Sequence, residues 1–198
     1  MASTVVQALG RARGPILAMG LVYVASVTVG AVMVHGGSSF ALHFRDRLVE
    51  RAHAADPASL ALASGHRVRA AAWDFGRNLL LGAVPETIGG LAIVIPYVAA
   101  GYRGWVGGIV SVDRSRASRL RDPAERVYYL LTLVLQLIPY SLAGGAGVAL
   151  GFAYLQRARE AGPRWLGLPR AAVQDVLRIY LLVVPLFAIA STWEFLAR

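Results

Sequence analysis

Residues 127–155, VYYLLTLVLQLIPYSLAGGAGVALGFAYL, carry no charged side chain, and few folds can house such a run. A water-soluble domain has no use for it, whereas a bilayer core of ~30 Å takes roughly 20 apolar residues to cross. Pro139 near its middle, with Ala143, Gly147 and Gly151 beyond, would weaken a helix in water. In a membrane, neighbouring helices and polar side chains satisfy the backbone groups that such residues free. Small residues four apart also let a second helix backbone come close, the usual route to association where no hydrophobic effect operates. The stretch reads as a packed, bent intramembrane element.

The rest of the chain agrees with that reading. With 198 residues, 57% hydrophobic and 16% charged, it suffices for one integral membrane domain and leaves little mass for a soluble one. Cysteine is absent, which excludes disulfides, thiolate metal sites and a cysteine nucleophile. The net charge is +9 and every basic residue is arginine. These arginines flank the apolar runs, so they point to membrane orientation and anionic lipid contacts, not to nucleic acid.

The expected fold is all-α: a polytopic integral membrane bundle with kinked or re-entrant helices broken by Gly and Pro, and a small amphipathic helical cap outside the bilayer. Arg11 and Arg13 precede a first span over 15–34, in which Ser26 and Gly30 form a small-xxx-small pair. This run is too long for a signal-peptide core, and the charge before it places the N-terminus in the cytoplasm. Residues 38–71 then leave the membrane on the other side. Ser38 or Ser39 caps a helix with Phe40, Phe44, Leu48 and Ala52 on one face and Arg45, Asp46, Arg47, Glu50 and Arg51 on the others. Asp56-Pro57 starts a further helix and Gly65 ends it. His35, His43, His53 and His66 lie at or within this region, but no HExxH-like spacing relates them. They read as solvated or interfacial, and neither metal nor cofactor is expected.

A second span is expected over 74–100, bending around Pro85, with the glycine-rich tail 101–112 re-entrant or interfacial. Residues 113–126 hold Arg114, Arg116, Arg119, Arg121 and Arg126 and belong in the cytoplasm. Asp122-Pro123 with Glu125 opens the next helix. Four more arginines follow in 156–170. A kinked hairpin over 127–155 keeps both arginine groups inside, and is preferred here to one long helix. Pro169 starts the last helix, which spans over 177–196.

Polar groups at membrane depth are costly and are functional candidates by default. Asn78, Glu86, Gln136 and Glu194 qualify, with Glu86 and Gln136 the deeper pair. They would bind an ion, a proton or a lipid head group, or else serve as hydrogen-bonding glue between helices. Around Ser141 and Ser191 there is no GxSxG, and HExxH and P-loop patterns are missing, so no enzyme is expected.

Three features resemble the stage II sporulation protein M family of multi-spanning membrane proteins. Phe75 and Asn78 open a glycine-punctuated helix that runs on to AAGYRGWVGG; QLIPYSLAGGAG spans 136–147; ASTWEF closes 190–195. Asn78 and Glu194 keep the family pattern, while Gln136 stands at a usual glutamate and Ala100 at an asparagine. Thr132 and Leu133 replace a histidine and a glycine. The resemblance implies a non-enzymatic subunit or scaffold of a larger membrane assembly, in homo- or hetero-oligomers, that remodels the bacterial cytoplasmic membrane. Two alternatives stand beside it: a permease-like transport component with an intramembrane acidic site, and an accessory subunit of an energy-converting complex.

Overall fold

The computed structural model describes residues 4–157 and 163–197. About 84% of it is helical, so the chain is all-α. A two-residue antiparallel pair, β1 (Arg164–Trp165) with β2 (Leu168–Pro169), closes over a turn at Leu166 and Gly167.

Helix α1 (Val5–His35) starts earlier than the apolar run predicts. Thr4 and Gln7 form a capping box: the Gln7 N–H donates to Thr4 Oγ1 at 3.3 Å and the Thr4 N–H to Gln7 Oε1 at 3.0 Å. Three helices, α1, α7 (Pro123–Arg157) and α8 (Arg170–Leu196), are long and apolar enough to cross a membrane.

The expected hairpin over 127–155 does not form; α7 is one continuous helix with Pro139 inside it. Two of its glycines are covered by chain backbone, since a Cβ on Gly147 would lie 2.4 Å from Thr87 O and one on Gly151 2.3 Å from Gly90 O. A helix packed this closely keeps its course through Gly and Pro.

The hairpin lies earlier in the chain, over 67–109. Its first limb is α4 (Arg67–Gly76), a π-helical turn (Arg77–Ala83), α5 (Val84–Gly89) and a 3₁₀ turn (Gly90–Ala92). The second limb is α6 (Val94–Ile109). The first limb runs alongside α7 in the same direction, with Gly82 beneath Tyr140 and Gly90 against Gly147. The second follows α1, with Gly101 at Val22 and Ser26 and Gly108 at Val27 and Ala31. The sharp interruption is not at Pro85, which sits harmlessly in the first turn of α5. It is at Ile93, whose φ of 60° is rarely adopted by a β-branched residue. The expected single crossing over 74–100 is therefore two limbs, and residues 101–109 continue the second.

Both limbs begin and finish at the end of the molecule where α1 closes. There α2 (Ser39–Ala55) and α3 (Pro57–Ala63) gather with residues 110–122. Val34, Ala41, Leu42, Ile109 and Val112 share one core, Ser118 Oγ lies 3.3 Å from His35 Nε2, and Ala58, Ala61, Ala70 and Ala71 pack on Phe195. The opposite end joins the start of α1 to the start of α8, where Arg11 grips Asp175 through contacts of 2.6 and 2.7 Å. The start of α1 and residues 113–126 thus lie at opposite ends of the molecule, and Arg164 and Arg170 lie at the end away from residues 113–126. Of the arginines expected in 156–170, Arg159 lies outside the described residues.

Helix α2 also presents a different face from the expected one. Ala41, Leu42 and Arg45 are buried while Phe40 is 61% exposed. The surface it meets, the ends of α1 and α6, is narrow, and Trp105 catches Phe44 edge-on at 4.9 Å instead of an aliphatic stripe. Arg45, expected on a polar face, is thereby enclosed and pairs with Asp46.

Candidate functional site

The π-helical turn decides where the polar side chains point. One extra residue in the turn directs the Val84 N–H to Leu79 O, five residues back, and brings Asn78 and Gly82 to the same side, under Tyr140. Gly82 is needed there, because a Cβ would lie 2.5 Å from the Tyr140 hydroxyl. Tyr140 OH donates to Asn78 Oδ1 at 2.9 Å, and Asn78 Nδ2 donates to Asp74 Oδ2 at 2.8 Å. Ser191 Oγ donates to the same Asp74 oxygen at 2.7 Å, and Arg77 holds the other oxygen at 2.8 Å while also reaching Asp56. Asp74 is 2% exposed, so the carboxylate must be satisfied by these donors, and it is.

On the far side of Tyr140 lies the second charged group. The guanidinium carbon of Arg103 stands 3.9 Å above the centre of the Tyr140 ring, a cation–π contact, and Arg103 pairs with Glu86. Glu86 is 4% exposed and belongs to the first limb; Arg103 belongs to the second. The pair therefore ties the hairpin together across its interior. Glu86 Oε1 is buried without a hydrogen-bond partner and faces Gly144, where a Cβ would come within 2.8 Å of it. Beside it, Thr87 Oγ1 donates to Ala143 O at 3.0 Å and accepts from Tyr180 OH at 2.7 Å.

Gln136 and Glu194 form a separate group. Gln136 Nε2 donates to Glu194 Oε2 at 3.3 Å, Tyr128 OH donates to Glu194 O at 2.7 Å, and the Tyr128 and Trp193 rings stack. Gln136 Oε1 and Trp193 Nε1 are buried without partners. Because these two residues bond, they lie at one depth, against the expectation of a deep Gln136 and a shallow Glu194.

The four candidate residues thus fall into three places: Asn78 on Asp74, Glu86 on Arg103, and Gln136 on Glu194. Arg103, Tyr140 and Asp74 complete these places and do not stand out in the sequence as the other four do. The available signal was charge balance, since Arg103 is the one cation inside the glycine-rich run and a buried Glu86 needs one. Ser26 and Gly30 lie against α6, and Ala143, Gly147 and Gly151 against residues 87–91. Among the described residues no group of three His, Asp or Glu is placed to hold a metal ion.

Two features lie outside this line. Asp113, in the loop between hairpin and α7, accepts from Ser115 Oγ at 2.7 Å and the Ala117 N–H at 2.9 Å. Those donors hold its carboxyl below the usual range. At the N-terminal end, α1, α7 and α8 border a half-open cleft of about 730 Å³ lined by Ala8, Ala12 and Ala146 together with Arg11, Asp175 and Arg178.

No family model, no curated protein and no solved structure matches this chain.

Proposed function

We propose that this is a multi-pass integral membrane protein acting as a permease-like transport component, with Glu86 as its intramembrane acidic site. In this reading α1, α7 and α8 cross the bilayer, residues 74–109 enter and return as a re-entrant hairpin, and α2, α3 and the start of α4 form a cap on one face. The observation that carries it is the Glu86–Arg103 pair, joining two limbs of an interrupted helix inside the bundle. Charged groups at such depth are costly and by default are candidates for ion or substrate pathways. Broken helices whose ends meet inside the membrane are where many transporters hold their ligands. The test is flux in proteoliposomes, screened over protons and small cations. Glu86→Gln should abolish it; flux untouched by that change would count against Glu86, and no flux for any species removes the class.

Orientation follows from arginine counting. Ten arginines (45, 47, 51, 67, 69, 114, 116, 119, 121 and 126) lie at the cap end, against Arg11, Arg13, Arg157, Arg164, Arg170 and Arg178 among the described residues at the other. The positive-inside bias puts the cap in the cytoplasm and the N-terminus outside, reversing the placement read from Arg11 and Arg13 alone. Since the chain has no cysteine, Ser115→Cys and Thr4→Cys are clean probes. An impermeant maleimide applied to intact cells should label position 4 and spare 115.

A second reading is a non-enzymatic scaffold subunit of the stage II sporulation protein M kind. It draws on Asn78 and Glu194, the positions that keep the family pattern, both toward the cap end, Asn78 bonded to Asp74 and Glu194 to Gln136. A native pull-down in mild detergent separates the two: the scaffold reading requires stable membrane partners lost on Asn78→Ala.

A further inference from the structure

We infer that Glu86 is a proton-binding site, and that taking up a proton releases the hairpin tip at Gly90–Ile93 from α7. The inference rests on the membrane placement proposed above and adds to it the ligand and the moving part.

The carboxylate is only half satisfied. One oxygen meets Arg103; the other, Oε1, is buried against Gly144 with no donor. An ionised carboxylate accepts at both oxygens, whereas the neutral acid needs fewer donors and supplies one of its own. The site therefore holds either form: the anion paired with Arg103, or the acid alone. A metal cation has no such place, because it needs several oxygen ligands and would face the Arg103 guanidinium with one carboxylate to share.

The charge left behind also has a place to stay. When Glu86 takes up a proton an O–H bond forms, the ion pair is lost, and the positive charge remains on Arg103. That guanidinium already rests on the face of Tyr140 and is 26% exposed, so it loses one partner and keeps another. The surroundings otherwise offer no competing charge. From α7 come Tyr140, whose hydroxyl is engaged with Asn78, and Gly144; from α8 comes Tyr180, held by Thr87; from α1 come Met19, and Tyr23 near Arg103. Asp74 and Arg77, further along the first limb, are tied to each other.

The moving part is marked by independent features. Among the described residues, Glu86–Arg103 is the single ion pair between the limbs. Five residues beyond Thr87 the chain reaches Ala92 and then Ile93, held at φ 60°. A β-branched residue persists there only while its surroundings compel it. What compels it is the seat of Gly90 on Gly147, where no Cβ fits. Loss of the ion pair removes one of two restraints on a strained turn, and relaxation of Ile93 carries the tip away from α7.

Two measurements on the full chain in lipid nanodiscs test this. The first is infrared difference spectroscopy on acidification. A protonated carboxyl band should appear in the parent, vanish in Glu86→Gln, and survive in Glu194→Gln. The second is a pulsed-EPR distance between labels at Ala92→Cys and Tyr154→Cys. It should lengthen as pH falls in the parent, and in Glu86→Gln should hold the longer value at every pH. Should Glu86→Gln fail to fold, Arg103→Gln is the substitute, and its carboxyl band should already be present at neutral pH. A band that persists in Glu86→Gln, or a distance independent of pH, overturns the inference. Neither readout measures flux, so a titrating Glu86 in a protein without flux removes the transport reading and leaves the switch.

Discussion

Residues 127–155 and residues 74–109 are written in the same alphabet: long apolar runs, prolines, clustered glycines. One is a straight-through helix; the other folds back on itself. The difference is in what covers the backbone. Around Gly147 and Gly151 the covering group is another backbone, that of residues 87–91, at distances that hold the helix in line. After Gly89 the first limb ends in a 3₁₀ turn, and the chain reverses at Ile93 to run along α1. Glycine and proline permit a break, but neighbours decide whether it happens.

The strongest way to break this comparison is to fill the seam that both regions share. A Cβ at Gly90 would stand 2.1 Å from the Gly147 carbonyl carbon, so Gly90→Val should cost about 3 kcal/mol, with a large drop in Tm in detergent. Gly101→Ala, where the nearest atom is 3.6 Å away, should leave Tm nearly unchanged. Equal effects at both positions would remove the close-contact account.

Next comes the ion pair. Glu86→Gln leaves a guanidinium that cannot discharge with Tyr140 as its remaining partner, whereas Arg103→Gln leaves a carboxyl that can take up a proton. The first should therefore destabilise by about 2 kcal/mol and the second by clearly less, measured in the same thermal assay. A reversed order would show that Arg103 matters chiefly through its contact with Tyr140.

Relief of strain sharpens the contrast from the opposite side. Ile93→Gly should stabilise the turn by about 1 kcal/mol, since glycine adopts that conformation at no steric cost, while a glycine at Pro139 should not stabilise α7. The smallest effect is expected at Asp113, in the loop joining the two regions. Its folded-state carboxyl is held low, so its contribution is present above the unfolded-state value and is lost as pH falls through the folded one. Thermal melts across the acidic range should show that slope in the parent and lose it in Asp113→Asn.

Much of the fold was legible residue by residue. Ser38 and Asp56 cap the helices they were expected to cap, and Gly65 ends α3 with φ +78°. Asp122 accepts from the Glu125 N–H at 2.9 Å ahead of α7. These are local events, decided within a few residues, and local sequence encodes them. Asn78, Glu86, Gln136 and Glu194 were also recognisable, because a polar side chain in an apolar run stands out whatever lies beside it. Their partners were not recognisable. Arg103 is 17 positions from Glu86, Tyr140 is 62 from Asn78 and Glu194 is 58 from Gln136.

The boundary between the two kinds of knowledge is clear in this chain. Its apolar runs, caps and absence of cysteine were enough to settle an all-α protein with helices suited to a membrane, since hydropathy and capping act over one or a few turns. Which run turns back, which end the arginine loop shares with the cap, and which cation meets Glu86 came only with the packed structure. Those outcomes depend on whether a neighbouring backbone is close enough to cover a glycine or a charge, and that distance is a property of the assembled helices.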